Sequence, residues 1–398
     1  MKTTIDNNTL ILYLEGRIDI NNAAQTEQEI FSAVDGRTES IVLDAENLEY
    51  ISSAGLRVLM KLCKSINKPL PMINVSQDVY DILDTTGFTE LLEVKKALRK
   101  VSLEGCEVIG QGGHGRVYRL DEETIIKIYH DNSPLSLIEK EREYAKNAFV
   151  NGVPSAIAYD VVQTEEGYGL VFELAGAKTV SKAIMEDPSS LQELAVKFGT
   201  LLKMLNSTEA DPALYGDIKQ IYLARAKNAE QFFTAEENAQ IVQMINAIPE
   251  GSGMIHGDYH TNNVMMQADG ELVLIDMADI SRGNSLYDIG GTFLTMCIAG
   301  SQDPSITEKI IGLKYEYSKQ VWGVLLSTYF GTTDPGQLEL LNNRCAAFAL
   351  MRMATTLGIN SENKKKYVDN QTNGIVAVLR QQLFPNTENF CKLFAMPV

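Results

Sequence analysis

The sequence predicts two domains: an α/β domain with a mixed sheet and helices, then a larger α+β domain with two lobes, an antiparallel sheet followed by helices. Strands alternate with amphipathic helices over the first hundred residues, a β-rich stretch with a glycine-rich loop follows, and helical spacing dominates beyond Asp288. The predicted domains span residues 1–98 and 103–398, and the second divides into lobes at about 103–174 and about 175–398. A chain of 398 residues, 45% of them hydrophobic, can give both domains a core.

The first domain begins with an alternation of strands and helices. We expect strand, helix, strand, helix and strand in turn at residues 10–15, 23–34, 40–44, 54–66 and 71–75. Ser52 and Ser53 stand at the start of the second of these helices. Serine at such a position commonly caps the free backbone N–H groups of a helix, and composition alone favours that interpretation.

The second domain opens with the glycine pattern G-x-G-x-x-G. Its glycines are Gly110, Gly112, Gly113 and Gly115. Glycine lets backbone N–H groups approach phosphate oxygens closely, but the pattern alone is weak, because dinucleotide-binding turns that lead into a helix share it. Here a strand at 116–120 follows, then a turn and a second strand at 124–129 that carries Lys127 among apolar residues. A hairpin followed by a strand lysine is the kinase arrangement.

Lys127 needs an acidic partner, because an unpaired ammonium group buried in an apolar strand is costly. The next predicted helix, at 139–150, contains several glutamates. Glu141 is the first choice for this partner and Glu143 the second. The other glutamates of such a helix are expected to face solvent.

The segment from His256 to Asn263 reads HGDYHTNN, and an apolar run that ends at Asp276 follows it. An aspartate, an asparagine five residues later and a second aspartate that closes a buried strand supply what in-line phosphoryl transfer needs. Asp258 is the candidate catalytic carboxylate near an acceptor hydroxyl. Asn263 and Asp276 are the candidate magnesium ligands. Neither half of the pattern indicates this chemistry alone.

The order of these motifs from about residue 105 to the end resembles the aminoglycoside phosphotransferase branch of the protein-kinase-like superfamily. The resemblance implies an enzyme that uses ATP and Mg²⁺ and has an alcohol group as acceptor. It assigns the glycine loop and Lys127 to the phosphates of ATP. It also implies that residues 170–176, which include Glu173 and Ala175, form the hinge whose backbone holds adenine.

Two further positions carry structural expectations. Asp288 matches an aspartate that such folds place before a helix of the second lobe, where it is expected to cap, and His256 is expected to brace the catalytic loop. Only eleven residues separate Asp276 from Asp288. This leaves little room for the long segment on which protein kinases dock peptides, so a small hydroxylated acceptor or a specialised protein is favoured over a general peptide.

The first 98 residues resemble a STAS domain of the anti-sigma factor antagonist type. The resemblance rests on Gly-Arg-Ile-Asp at 16–19, the strand into Asp44, and Ser-Ser-Ala-Gly-Leu at 52–56. It implies that Ser53 is a phosphorylation candidate, and that phosphorylation would switch off binding to an anti-sigma-like partner protein. Many members of that family carry Asp before the phosphorylated serine, whereas this chain has Ser52.

Three functional hypotheses follow. The first is an ATP- and Mg²⁺-dependent phosphotransferase acting on a hydroxyl of a small molecule, regulated by or coupled to the STAS domain. The second is a serine kinase acting on a STAS serine, its own Ser53 or that of a partner, in a partner-switching pathway. The third is a non-catalytic ATP-sensing scaffold, which the filled phosphate, metal and catalytic positions disfavour.

Composition excludes several other classes. The net charge of −17 argues against nucleic acid or an anionic membrane as a partner, because both would be repelled. The five cysteines are dispersed and lack metal-ligand spacing, so neither zinc nor a disulfide is predicted. A polar, acidic N-terminus and the lack of an apolar run long enough to span a bilayer predict a cytoplasmic protein.

Overall fold

The computed structural model describes residues 1–6, 8–34, 40–66, 70–112, 115–130, 133–359 and 370–396. The chain forms two compact units. One comprises Met1–Ser102 with Val162–Thr164, and the other comprises Leu103–Val161 with Glu165–Val398. The predicted fold class, an α/β unit followed by an α+β unit with a sheet and a helical lobe, is confirmed.

The first unit is built on a five-stranded sheet. Its strands lie in the order Lys2–Asp6, Thr9–Ile18, Ser40–Ile51, Leu70–Val75 and Leu92–Lys96. The first pair is antiparallel and the later pairs are parallel, so the sheet is mixed. The connections between the parallel strands contain the helices Ala23–Ala33, Ser53–Ile66 and Gln77–Thr85.

Alternating apolar residues give this sheet its core. In the strand Thr9–Ile18, Leu10, Leu12 and Leu14 are buried while the residues between them are not. The helix Ser53–Ile66 follows the strand Ser40–Ile51 directly, with only Ser52 between them. The two serines therefore lie where a buried strand passes into a helix.

The first lobe of the second unit is an antiparallel sheet. Its strands lie in the order Ala158–Thr164, Gly167–Glu173, Thr124–Tyr129, Gly115–Arg119 and Glu107–Gly112, and of the first of these only residues 158–161 belong to this unit. A two-residue strand, Arg99–Lys100, precedes them in the chain. The helix Leu135–Val150 buries Ile138, Tyr144 and Ala148. This helix starts four residues before the predicted residue 139, because Pro134 takes the extended conformation of an N-cap (φ −67°, ψ 143°).

The second lobe is mostly helical. Its helices are Val180–Glu186, Leu191–Ser207, Ile218–Asn228, Ala235–Ala247, Leu286–Phe293, Ser305–Ile311, Tyr315–Phe330, Pro335–Thr356, Asn370–Gln382 and Thr387–Ala395. Aromatic side chains fill its core, with Tyr222, Tyr287, Phe348 and Phe394 each at most 1% exposed. Across the described ranges of the chain, no helix combines the length and the apolar character needed to cross a membrane.

Two small sheets lie within the helical lobe. Lys178–Thr179, Val264–Met266 and Leu272–Leu274 form the first, and Gly253–Ile255 pairs with Ser281–Gly283 in the second. The predicted catalytic segment connects the strand Gly253–Ile255 to the strand Val264–Met266. Asp276 lies two residues after the strand Leu272–Leu274, so both predicted motifs lie at strand ends.

Candidate active site

The glycine-rich segment includes the facing ends of two antiparallel strands, where Gly112 pairs with Gly115. Gly115 has a φ of 151°, and a Cβ there would lie 1.8 Å from the Ile128 carbonyl oxygen, so no other residue fits. A Cβ on Gly112 would meet nothing within 4 Å, and one on Gly110 would make only ordinary contacts. The sheet therefore requires glycine at position 115 and does not require it at positions 110 and 112. Gly113 lies outside the described residues.

Lys127 lies in an ionic cluster and is 12% exposed at its side chain. Its Nζ is 2.8 Å from Oε1 of Glu141 and 2.7 Å from Oδ1 of Asp276. Glu141 is buried, whereas Glu143 is exposed, so the first-choice partner is the residue in contact. Burial lowers the pKa of Lys127, but the negative charges of Glu141 and Asp276 outweigh it and raise the pKa overall. The lysine therefore keeps its positive charge.

Tyr129 is a member of this cluster that sequence reasoning missed. Its hydroxyl donates to Oε2 of Glu141 at 2.7 Å. Burial and the adjacent carboxylate raise its pKa, so the phenol stays protonated and acts as a donor. Its position two residues after Lys127, on the same face of a strand, is the signal that could have identified it.

Asp258 follows Gly257, whose φ of 85° gives the loop a conformation that side chains disfavour. The Asp258 side chain is 49% exposed, so its carboxylate is accessible from solvent. Burial of the carboxylate raises its pKa, but the His260 side chain, whose Nε2 lies 3.4 Å from Oδ2 of Asp258, and the neighbouring His256 and Arg352 lower it to about 2. Asp258 is therefore ionised at neutral pH.

Asn263 and Asp276 are neighbours, because the N–H of Ile275 donates to the Asn263 carbonyl oxygen at 3.0 Å. Asp276 has a φ of 62°, which is uncommon for a residue other than glycine. Nδ2 of Asn263 donates to the Asp258 carbonyl oxygen at 3.0 Å, which leaves Oδ1 as the ligand atom of that amide. Amide and carboxylate oxygens suit Mg²⁺, which commonly takes one or two protein ligands together with phosphate oxygens. These two residues therefore fit magnesium.

A metal site built from protein side chains alone is a different case. Over residues 1–359 and 370–396, apart from the short gaps given above, no group of three or more His, Cys, Asp or Glu residues could hold a metal ion.

Asp288 braces the loop of residues 256–263, and the prediction that it caps a helix is wrong. It lies inside the helix Leu286–Phe293 and is 1% exposed. Its carboxylate accepts hydrogen bonds at 2.8 Å from the N–H groups of His256 and Gly257 and from Nδ2 of Asn206. Burial raises the pKa of Asp288, and the adjacent His256 and these hydrogen bonds oppose that rise. Its partners lie 31 or more residues away in sequence, so the helix pattern could not identify them.

Further contacts hold the same loop. Nε2 of His256 lies 3.3 Å from the Ile275 carbonyl oxygen, and the imidazole is buried. Oγ1 of Thr292 donates to the Tyr259 carbonyl oxygen at 2.8 Å, and the Tyr259 hydroxyl donates to the Phe198 carbonyl oxygen at 2.6 Å. The loop is thus fixed from several elements of the helical lobe.

Glu173 and Ala175 lie at the end of the strand Gly167–Glu173. The Glu173 N–H donates to the Ile157 carbonyl oxygen at 3.0 Å, and Oε1 of Glu173 accepts from the Ile157 N–H at 2.9 Å. The carboxylate of Glu173 therefore ties two chain segments together. A contact between this hinge and a purine base would come from the backbone, and that role stays a prediction.

Ser52 and Ser53 differ in what they contact. Oγ of Ser52 accepts hydrogen bonds from the N–H groups of Ala54 at 3.2 Å and Gly55 at 3.4 Å. This is the capping role expected of serine at a helix start. Ser53 is exposed. Of the two hydroxyls, that of Ser53 is the more accessible to modification.

The contacts join Lys127 to Asp276, Asp276 through Ile275 to Asn263, and Asn263 to Asp258. This arrangement combines a cation for phosphate, two oxygen ligands for a divalent ion and an ionised carboxylate for a hydroxyl group. Phosphoryl transfer uses these parts, since its catalysis depends mainly on positioning and charge.

Comparison with protein families gives two matches. The STAS domain model matches residues 1–101, and the phosphotransferase enzyme family model matches residues 105–309, about half of the chain. Both predicted resemblances are confirmed.

Two relatives match the N-terminal region. A candidate anti-sigma factor antagonist of Bordetella bronchiseptica is 34% identical over 99 residues, which are 24% of this chain and 85% of the relative. The anti-sigma F factor antagonist of Paenibacillus polymyxa is 28% identical over 89 residues, which are 21% of this chain and 76% of the relative.

Solved structures similar to this chain include three phosphotransferases. The ADP-bound aminoglycoside phosphotransferase APH(2'')-Ib has 16% identity and a TM-score of 0.49, over 73% of this chain and 94% of that one. The ethanolamine kinase of Plasmodium vivax has 11% identity and a TM-score of 0.47, over 72% and 83%. The choline kinase LicA of Streptococcus pneumoniae has 13% identity and a TM-score of 0.43, over 72% and 93%.

Proposed function

The chain belongs to the phosphotransferase enzyme family and carries an N-terminal STAS domain, and from this premise we propose that it transfers the γ-phosphate of ATP to a hydroxyl of a small molecule. In this proposal Mg²⁺ is the cofactor, and the reaction is regulated by or coupled to the STAS domain. The observation that carries the proposal is the continuous set of contacts linking Lys127, Asp276, Asn263 and Asp258.

Phosphate binding falls to Lys127 and the glycine hairpin. Lys127 is cationic and held between two carboxylates, so its ammonium group is positioned by the protein. The open space at Gly112 lets a phosphate approach the backbone at that residue. Glycine there serves no need of the sheet, which supports a role in ligand binding.

Asp258 acts on the acceptor. It orients the hydroxyl and receives its proton as the new P–O bond forms and the bond between the γ-phosphorus and the oxygen that leaves with ADP breaks. The products are ADP and a phosphate ester. A carboxylate with a pKa of about 2 is a weak base, so orientation of the hydroxyl is its larger contribution.

Asn263 and Asp276 would hold magnesium, which when bound neutralises charge that develops on the phosphate oxygens. The amide of Asn263 is oriented by its hydrogen bond to the Asp258 carbonyl oxygen. The same contact joins the metal-binding side of the site to the acceptor side.

A small acceptor fits the chain between Asp276 and Asp288. Only eleven residues separate them, and the strand Ser281–Gly283 takes up part of this segment. The end of the helix Ser305–Ile311 lies beside the loop that carries Asp258, because Ser181 donates to the Ile311 carbonyl oxygen and its hydroxyl lies 2.7 Å from that of Thr261. A segment this short leaves little room for a bound extended peptide, which favours a small molecule as the acceptor.

A specific observation also favours a second candidate function, a serine kinase for STAS domains. The Ser53 hydroxyl is exposed at a helix start, while Ser52 is engaged as the cap. In this alternative the acceptor hydroxyl is Ser53 of this chain or the equivalent serine of a partner STAS protein in an anti-sigma pathway.

One experiment tests both candidates. The full chain is incubated with Mg-ATP labelled in the γ-phosphate, alone and with a panel of amino-sugar, amino-alcohol and sugar acceptors, beside the Asp258→Asn and Ser53→Ala variants. Label on an added acceptor that depends on Asp258 supports the small-molecule enzyme. Label on the protein that is lost in both variants supports the serine kinase. ATP binding without transfer in either arm contradicts transfer to these acceptors and to Ser53, and favours the scaffold.

A further inference from the structure

Arg352 reaches the catalytic loop from a distant helix. It lies near the end of the helix Pro335–Thr356, and its Nη2 donates a hydrogen bond to the Gly257 carbonyl oxygen at 2.9 Å. Gly257 immediately precedes Asp258. Because Gly257 has a φ of 85°, its carbonyl points in a direction that other residues rarely allow, and Arg352 binds it there.

The helix Leu286–Phe293 passes the Arg352 side chain at a glycine. A Cβ on Gly291 would lie 2.1 Å from Nη1 and 3.1 Å from Cζ of Arg352. The guanidinium group can occupy its position only because residue 291 has no side chain. Gly291 lies in the same turn of this helix as Asp288 and Thr292, which hold the loop of residues 256–263 through its N–H and carbonyl groups.

The Arg352 charge also acts on this site. Burial lowers the pKa of Arg352, but Tyr222, Asp258, Asp288 and Asp279 raise it, and the rise prevails. In return, the guanidinium is one of the charges that favour the ionised form of Asp258. The hydrogen bond from Arg352 therefore acts on Gly257, and the charge of Arg352 acts on the next residue, Asp258.

We propose that Arg352 is a positioning residue for phosphoryl transfer. It fixes the backbone before Asp258, and so the direction of the Asp258 carboxylate toward the acceptor hydroxyl, through an opening that Gly291 keeps clear. The inference rests on the proposed role of Asp258. It adds to the site a residue 95 positions from Gly257, which no motif around the loop indicates.

Two substitutions reach this contact by different routes. Arg352→Gln removes the charge, and Gly291→Ala places a methyl group where the guanidinium lies. The atoms that this methyl group would meet belong to the far end of a long side chain, so the arginine is displaced and the backbone is not. Gly323→Ala is the matched control, because it adds the same methyl group inside the helix Tyr315–Phe330, where it would meet nothing within 4 Å.

The full-length variants are compared in three measurements: Mg-ATP affinity by calorimetry, transfer of labelled γ-phosphate to the acceptor that the wild type uses, and melting temperature. We expect Arg352→Gln and Gly291→Ala to slow transfer about 10- to 100-fold, because a misplaced catalytic group loses alignment. Mg-ATP affinity should stay within about twofold of the wild type, since Arg352 touches no phosphate-binding group. Arg352→Lys should recover part of the rate, and Gly323→Ala should match the wild type.

Wild-type transfer in both Arg352→Gln and Gly291→Ala would overturn the proposal. A loss of Mg-ATP affinity and melting temperature in parallel with transfer, with no recovery in Arg352→Lys, would also overturn it, because that is the behaviour of a contact needed only for folding. The Asp258→Asn variant distinguishes failure of the proposed function from failure of the inference about Arg352. If it transfers phosphate as fast as the wild type, the proposed function fails and this inference with it, whereas transfer lost in Asp258→Asn but kept in the Arg352 variants removes the inference alone.

Discussion

At the residue scale, Glu141 has both carboxylate oxygens engaged by neighbours on the strand Thr124–Tyr129. Lys127 binds Oε1 and Tyr129 donates to Oε2, at 2.8 Å and 2.7 Å. A buried carboxylate is stable only when its hydrogen bonds are satisfied, and here two groups satisfy it. The position of Lys127 is thus fixed through Glu141 by protein contacts alone.

Tyr129→Phe tests this arrangement. We expect the variant to lose about 1–3 kcal/mol of unfolding free energy, because a buried carboxylate loses a hydrogen bond. We also expect it to bind Mg-ATP more weakly, because Glu141 then holds Lys127 less firmly. Urea denaturation and calorimetry measure the two effects.

Tyr118→Phe is the control for this change. Tyr118 lies on the strand Gly115–Arg119, next to the strand of Lys127. Its hydroxyl donates to the Glu166 carboxylate, 2.9 Å from Oε1 and 2.8 Å from Oε2, and makes no hydrogen bond to Glu141 or Lys127, both of which are among the described residues. It should lose stability and keep wild-type Mg-ATP affinity. Equal affinities in the two variants would show that Tyr129 does not act through Lys127.

The sequence could identify some of these residues and not others. The Lys127–Glu141 contact follows from the cost of a buried ammonium group and from the glutamates of the next helix. The roles of Asp288 and Arg352 depend on hydrogen bonds to backbone groups 31 and 95 residues away. A backbone carbonyl or N–H carries no signal in the sequence, so such partners are found only in the folded chain.

At the element scale, the glycine hairpin separates two reasons for having glycine. A Cβ on Gly115 would clash with the Ile128 carbonyl oxygen at 1.8 Å, whereas one on Gly112 would be in open space. The structure therefore requires Gly115 for the sheet. Gly112 is not required by the sheet and is free to serve a ligand.

Substitutions at these two glycines should affect different properties, stability at Gly115 and Mg-ATP binding at Gly112. Gly115→Ala should destabilise the fold by about 2 kcal/mol or more, through the clash and the strained φ. Gly112→Ala should keep wild-type stability and weaken Mg-ATP binding, because the methyl group occupies the space that phosphate approaches. Thermal melts with and without Mg-ATP distinguish them. Unchanged Mg-ATP affinity in Gly112→Ala would remove the hairpin from the nucleotide site.

The start of the helix Ser53–Ile66 offers a second pair. Ser52→Ala removes the cap and should cost about 1 kcal/mol of unfolding free energy. Ser53→Ala should change stability by less than about 0.5 kcal/mol, as expected for an exposed side chain without a structural contact. Urea denaturation of the two variants measures this difference. A larger loss in Ser53→Ala would show that the two serines have exchanged roles.

Element predictions differed in accuracy, and the strand predicted at 40–44 extends over Ser40–Ile51 in the structure. The predicted helix at 23–34 corresponds to Ala23–Ala33, and the predicted strand at 71–75 to Leu70–Val75. The strands Gly253–Ile255 and Val264–Met266, which flank the loop that carries Asp258, have three residues each. Three residues are too few to show a period of two, so the local framework of the site could not be predicted.

At the scale of the whole molecule, each unit has its own hydrophobic core. The core of the first unit is formed by the five-stranded sheet and its helices, and a core of the second unit lies among the helices of its second lobe. Units with separate cores need not unfold in one step. If nucleotide binds only the second unit, Mg-ATP at 100 times its dissociation constant should stabilise that unit by about 2.7 kcal/mol. Scanning calorimetry of the full chain should then show one transition that moves with Mg-ATP and one that does not. A shift of both transitions together would contradict this division.

The central claim is that Asp258 serves transfer and not nucleotide binding. The most direct test pairs two quantities, Mg-ATP affinity and phosphate-transfer rate, in the wild type and in Asp258→Asn. The side chain is 49% exposed, so the amide should be accommodated without unfolding. We predict affinity within about twofold and transfer slower by about 100- to 10,000-fold. Transfer at the wild-type rate by a folded Asp258→Asn variant would contradict the account.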